Sequence, residues 1–77
     1  MVEAFVLIQA RVGTATLVAQ AVSATQGVRS AEVVTGPYDV VARVEAASID
    51  ALGSLVVSKI QAVEGVSRTL TCPVLRL

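Results

Sequence analysis

The sequence predicts an α+β fold with the element order βαββαβ. Three observations point to it: apolar alternation at period two at both ends and in the middle of the chain, two segments whose apolar residues recur at helical spacing, and the dipeptides Gly27-Val28 and Gly65-Val66, each of which closes a helical segment and opens an extended one. At 77 residues the chain has room for one small core, so residues 1–77 are expected to form a single domain.

Residues 2–12 place Val2, Ala4, Val6, Ile8, Ala10 and Val12 at period two, while Phe5 and Leu7 make the opposite face apolar at its centre. This is the pattern of a central strand covered on both faces. Gly13 breaks it, Thr14 is placed to cap a helix, and Leu17, Val18, Ala21 and Val22 carry the helical period until Gly27 stops it. Val28–Thr35 reads as a second strand, Gly36-Pro37 as a turn, and Tyr38–Ala46 as a third strand with Tyr38, Val40, Ala42 and Val44 on one side, so the pair forms a hairpin. Ser48 is placed to cap a second helix, and Asp50 lies in its first turn, where negative charge suits the helix dipole. Leu52, Leu55, Val56, Ile60 and Val63 supply an apolar stripe that ends before Gly65. Val66–Leu77 alternates again, and Pro73 marks it as an edge strand because proline has no N–H for a ladder.

Two βαβ halves with right-handed crossovers fold into a four-stranded antiparallel sheet of order 4-1-3-2 with both helices on one face, the ferredoxin-like arrangement. Its second sheet face lies bare in a monomer. Because 55% of the residues are apolar and the first strand is apolar on both sides, a second copy is expected to cover that face.

Composition removes many functions. Six basic and six acidic residues give no net charge, and with it goes the long-range field that gathers nucleic-acid phosphates, so no direct nucleic-acid contact is expected. There is no His for a metal or a general base and a single Cys, too few for an iron–sulfur cluster, so no metal, no cofactor and no catalysis are expected. Aromatic residues are 3% of the chain, too sparse for base stacking, and the Asn on which acylphosphatases depend is lacking. The mean hydropathy is +0.77, yet the uncharged run between Arg11 and Arg29 is interrupted by Thr, Gln, Ser and Gly and falls short of the roughly 20 apolar residues of a membrane span. With no basic leader segment ahead of a small-residue cleavage site, the cytoplasm is the expected compartment.

Three features could carry chemistry. Gly36-Pro37-Tyr38-Asp39 sets a phenol and a carboxylate at the mouth of the hairpin, where an Asp also commonly bonds nearby backbone. Thr69 and Thr71 share one face of the last strand; their hydroxyls suit a polar ligand, and Thr is equally an ordinary strand former. Cys72, with no His to activate it, reads as an inert, partly buried thiol.

The segments VVTGPYDVVARV (residues 33–44) and EGVSRTLTCPVL (residues 64–75), with the opening VEAFVLIQ, resemble the effector-sensing domain of the leucine-responsive and asparagine-responsive regulators, the Lrp/AsnC family, called the RAM domain. The motifs are Thr-Gly-x-Tyr-Asp and, after the second helix, Gly-Val-x-x-Thr-x-Thr. The resemblance implies a homodimer with two sheets packed face to face, dimers joining into octameric or similar rings, and an amino acid or similar small effector bound between subunits. By position it implies ligand contacts from Gly36, Tyr38 and Asp39 in the turn and from Thr69 and Thr71 on the strand, with Asp39 attracting an ammonium group and the hydroxyls and backbone N–H groups taking a carboxylate. The chain begins at the first strand, where full-length members carry a helix-turn-helix. Regulation is therefore expected through co-assembly with a full-length Lrp/AsnC regulator or through docking elsewhere. Two other classes stand beside this one: a purely structural assembly module, and a small dimeric ferredoxin-like enzyme, which would usually present a His, Asn, Trp or larger aromatic pocket.

Overall fold

A computed structural model covers residues 1–77 and contains β1 (Val2–Ala10), α1 (Ala15–Ser23), β2 (Val28–Val33), β3 (Val40–Ala46), α2 (Ile49–Leu55) continued by a π-helical turn (Val56–Ile60), and β4 (Val66–Pro73). The four strands form one antiparallel sheet in the order β2-β3-β1-β4, the expected 4-1-3-2 order read from the other edge. Register fixes the two faces. Ala4, Val6 and Ile8 of β1 stand beside Val44, Ala42 and Val40 of β3, and all six are fully buried against Val18, Ala19 and Val22 of α1 and Leu52, Val56 and Ile60 of the second helix. The residues between them, Glu3, Phe5, Leu7 and Gln9 on β1 and Val41, Arg43 and Glu45 on β3, therefore point to the opposite face, which no element of the chain covers.

Several boundaries differ from expectation, each for a visible reason. β1 stops at Ala10 because the Asp39 carboxylate takes the Ala10 N–H (2.8 Å) where a neighbouring strand's carbonyl would otherwise sit, and Val12 is left fully exposed. Thr14 precedes α1 but does not cap it: its αR backbone turns the hydroxyl back, and Oγ1 donates to the Arg11 carbonyl (2.7 Å). α1 ends at Ser23, before Gly27: Ala24 N–H still donates to the Gln20 carbonyl (3.2 Å), but Thr25 N–H turns to the Val22 carbonyl (3.0 Å), and the polar Thr25 and Gln26 do not continue the buried stripe. β4 ends at Pro73, with Val74 N–H still reaching the Glu3 carbonyl (2.9 Å); β1 starts at Val2, so Arg76 and Leu77 have no strand left to pair with.

Ser48 caps α2 as expected, its extended backbone letting Oγ accept from Ala51 N–H at 3.0 Å. The helix does not remain α to its end. At about 100° per residue from Leu52, Lys59 would fall in the middle of the core-facing stripe. The π turn, closed by Gln61 N–H on the Val56 carbonyl (2.8 Å), takes up one extra residue, brings Ile60 into the core with no exposed surface and leaves Lys59 outside. Burying an Ile side chain is worth about 1.5–3 kcal/mol, whereas an unpaired buried Lys would cost several, so the wider turn is the favourable solution.

Candidate functional site

The hairpin loop folds back over the end of β1. Val34 N–H donates to the Asp39 carbonyl (2.9 Å), closing the loop, and Asp39 N–H donates to the Ile8 carbonyl (2.9 Å). Gln9 adds a second tie, its Nε2 donating to the Pro37 carbonyl at 3.0 Å. β3 consequently begins at Val40, and Tyr38 belongs to the loop, half-buried like Asp39. Gly36, exposed at φ 141°, has nothing within 4 Å of the place where a Cβ would stand, so its backbone conformation and not crowding calls for glycine. Of the Asp39 carboxylate, Oδ2 is engaged by Ala10 N–H and Oδ1 makes no hydrogen bond within the chain.

Thr69 and Thr71 lie elsewhere. They oppose Ile8 and Val6 on β1 and so share the helix-covered side of the sheet, at its β4 edge. With Ile49, Leu52, Gly53 and Val57 they line a groove of about 340 Å³. Thr69 Oγ1 accepts from Gln61 Nε2 at 2.9 Å, leaving its own hydroxyl proton free to donate. Gly36, Tyr38 and Asp39 line none of this groove, so one chain does not bring the two sets of residues into a common cavity.

The alternate residues of β4, Arg68, Leu70 and Cys72, oppose Gln9, Leu7 and Phe5 and share the uncovered face. Cys72 is exposed, in contrast to the partly buried thiol expected, because β4 is an edge strand and its Cys points away from the helices. Phe5 (39% exposed) and Leu70 (47% exposed) leave apolar surface open to water. Near one end of this face lies a charged cluster: Arg29 pairs with Glu45, Arg43 Nη2 donates to Glu3 Oε1 at 2.8 Å, and Arg76 Nη2 lies 3.1 Å from Glu3 Oε2. The Arg43 guanidinium bonded to Glu3 holds that carboxyl below its ordinary value, partial desolvation opposes the shift, and Arg76 adds to it. Arg43 also lies over the Phe5 ring, 5.4 Å from its centroid.

The sequence does not single out Gln9, which is tied to the turn, or Arg68, which opposes Gln9 on β4. The available signal was phase: β4 alternation sets Arg68 out of step with Thr69 and Thr71, while the odd-numbered face of β1 ends at Gln9. No group of three or more His, Cys, Asp and Glu side chains gathers to hold a metal, and no helix is long and apolar enough to cross a membrane.

The model of the family described as the Lrp/AsnC ligand binding domain matches residues 3–77. Among solved structures, TTHA0845 from Thermus thermophilus superimposes with a TM-score of 0.92 at 36% identity, covering 100% of this chain and 96% of that one. AsnC of E. coli superimposes with a TM-score of 0.90 at 27% identity over 99% of this chain and 52% of its own. A transcriptional regulator from Neisseria meningitidis, solved as an L-Met complex, shares the fold with a TM-score of 0.85 at 22% identity, over 97% of this chain and 50% of its own. The chain thus spans about half the length of the latter two. No curated protein matches the sequence.

Proposed function

The chain belongs to the Lrp/AsnC ligand binding domain family, and we propose that it is an effector-sensing and oligomerisation module that takes an amino acid or similar small zwitterion between two subunits. The family is a regulatory ligand-binding domain of transcription regulators and not an enzyme family. The observation that carries the reading is the hairpin turn: it holds a carboxylate at the end of the sheet with one oxygen anchored to Ala10 and the other uncommitted, which suits a ligand ammonium. That a regulator of this fold was solved with L-Met makes amino acids the class to test first.

Two subunits are part of the proposal. Phe5, Leu7, Val41 and Leu70 on the uncovered face supply an apolar surface for a second sheet, which supports a face-to-face homodimer and, through further contacts, a ring. Because the Gly36–Asp39 turn and Thr69 and Thr71 stand apart in one chain, and the two hydroxyls lie on the helix-covered side of the sheet, they reach an effector seated on the turn only from a further chain met through the ring contacts, where they supply neutral hydrogen bonds. Residues 1–77 act in the cytoplasm, as one domain and without catalysis. They reach DNA only by co-assembly with a full-length regulator: the net charge is zero and both helices are packed on the sheet. Calorimetry with the twenty L-amino acids tests the reading. Saturable heat with at least one of them is expected, and silence with all of them at millimolar concentration would leave the purely structural assembly module in its place.

A further inference from the structure

Within this effector-sensing reading, which the inference presupposes, one charge of the zwitterion still lacks a charged partner: Thr69 and Thr71 offer hydroxyls only. The row of residues across the end of the uncovered face supplies one. Gln9 is opposed on β4 by Arg68, and on the other side it is tied through Nε2 to the Pro37 carbonyl of the turn that carries Asp39. The sheet is irregular here. The β1–β4 register shifts between Gln9 and Ala10, and Ser67, the extra residue, donates its hydroxyl to the Gln9 carbonyl at 3.1 Å. Bulges of this kind re-aim the neighbouring side chain and are frequent beside functional sites.

Arg68 is also uncommitted. Arg29, Arg43 and Arg76 are each held by a carboxylate, whereas Arg68 is exposed and forms no ion pair. Asp39 and Arg68 flank β1 from either side, so their backbones stand about 10 Å apart, two strand spacings of roughly 4.8 Å. A free α-amino acid carries its two charges on neighbouring atoms of one carbon. With a short carboxylate side chain at one end and a long guanidinium side chain at the other, the gap is one such a ligand can span.

We propose that Arg68 receives the carboxylate of the effector whose ammonium lies on Asp39, so that the row Asp39, Gln9 and Arg68 selects a free α-amino acid over an amine or an α-carboxamide. A guanidinium meets a carboxylate with two parallel hydrogen bonds and a full charge, which an amide oxygen does not match.

The test compares, by calorimetry, each L-amino acid that binds with its own α-carboxamide, on the wild-type chain and on Arg68→Gln, Arg68→Lys and Arg11→Gln. Arg11 is the other cation without an ion pair near this end of β1, and Arg68 is exposed, so these variants are expected to melt with the wild type. On the wild type the amino acid should bind about ten- to a hundredfold more tightly than its carboxamide, as a charge-assisted bond implies. In Arg68→Gln that gap should close through loss of amino-acid affinity alone, Arg68→Lys should restore part of it, and Arg11→Gln should leave it intact. An amino acid that binds Arg68→Gln as tightly as the wild type overturns the assignment of Arg68 while leaving the sensing function standing. A gap that closes in Arg11→Gln instead overturns it equally. If no amino acid binds the wild type, the sensing function and the assignment fall together.

Discussion

Gly65 is pressed against Val18: a Cβ built on the glycine would stand 2.8 Å from Val18 Cγ2 and 2.9 Å from Thr14 Oγ1. Its φ of 101° adds a second demand for glycine. The contact locks the end of the second half of the chain onto the first helix, and Gly65 also accepts Arg11 N–H at 2.8 Å. Gly27 repeats the arrangement in reverse, accepting Glu45 N–H at 2.8 Å and lying against Leu55, 3.1 Å from where its Cβ would be. Gly65→Ala is expected to cost about 2–4 kcal/mol, combining a left-handed backbone penalty with overpacking. Gly53→Ala, inside α2 with nothing within 4 Å of the added methyl, should stabilise by about 0.5–1 kcal/mol. Urea denaturation of the two variants gives opposite signs if crowding and φ, and not glycine as such, decide the outcome.

Asp39 has a structural and a proposed binding role, and two substitutions separate them. Asp39→Asn keeps an oxygen for Ala10 N–H and removes the charge, so it should weaken amino-acid binding about ten- to a hundredfold at nearly unchanged stability. Asp39→Ala should show that loss and also destabilise by about 1–3 kcal/mol, since a part-buried N–H loses its partner. Thr69→Val and Thr71→Val should cost binding less, about 0.5–1.5 kcal/mol each. Calorimetry paired with thermal melts reads both quantities, and equal affinity in Asp39→Asn and the wild type would leave Asp39 a purely structural residue.

Leu70→Asp should separate the proposed dimer without unfolding the chain. Leu70 is 47% exposed within one protomer, so a carboxylate is tolerated there until a second sheet covers it, when an unpaired charge would be buried at a cost of about 3–5 kcal/mol. Sedimentation should show a folded monomer. A dimer that persists unchanged would mean that the uncovered face is not the interface.

The Glu3 carboxyl is held below its ordinary value first by the Arg43 hydrogen bond, with Arg76 contributing. A carboxyl whose value is depressed on folding adds stability above the value it has in the unfolded chain. That stability is lost as the pH falls through its folded value. Acid titration of the wild type should therefore show a loss of stability that Glu3→Gln lacks. Parallel acid unfolding curves for the two proteins would show that the ion pairs contribute nothing in solution.

Residues 1–77 alone are expected not to retard duplex DNA in a gel shift, because the charges cancel. A salt-sensitive shift by the pure protein would overturn this. A shift that appears only with a full-length regulator present is the outcome expected of co-assembly.

Element order and sheet order were legible in the sequence because both rest on local repetition: period two in Val2–Ala10, an apolar helical stripe from Leu52, and a glycine before each returning strand. The same local signals misplaced the ends. Thr14 has the chemistry of a helix cap, yet Gly65, from the far half of the chain, packs on its side chain, and its hydroxyl turns to Arg11. Val12 continues the period of β1, yet the Asp39 carboxylate ends the strand two residues earlier.

The candidate site was legible in part. Turn chemistry singles out Gly36, Tyr38 and Asp39, and a shared strand face and the family motif single out Thr69 and Thr71, but which side of the sheet each occupies is not legible, since shifting the pleat by one residue exchanges the faces of a strand. Nothing within Val66–Pro73 says whether its Thr residues or Arg68 and Leu70 meet the helices.

By itself the sequence determined the architecture of this protein, because amphipathic periods and glycine positions act over a few residues and need no distant partner to be read. Only the tertiary structure decided that Thr69 and Thr71 face the helices, that Arg68 shares a row with Gln9 beside Asp39, and that a π turn moves Lys59 out of the core. Each of these depends on register between strands or on volume between a helix and a sheet. Such quantities exist only once segments far apart in the chain are packed against one another.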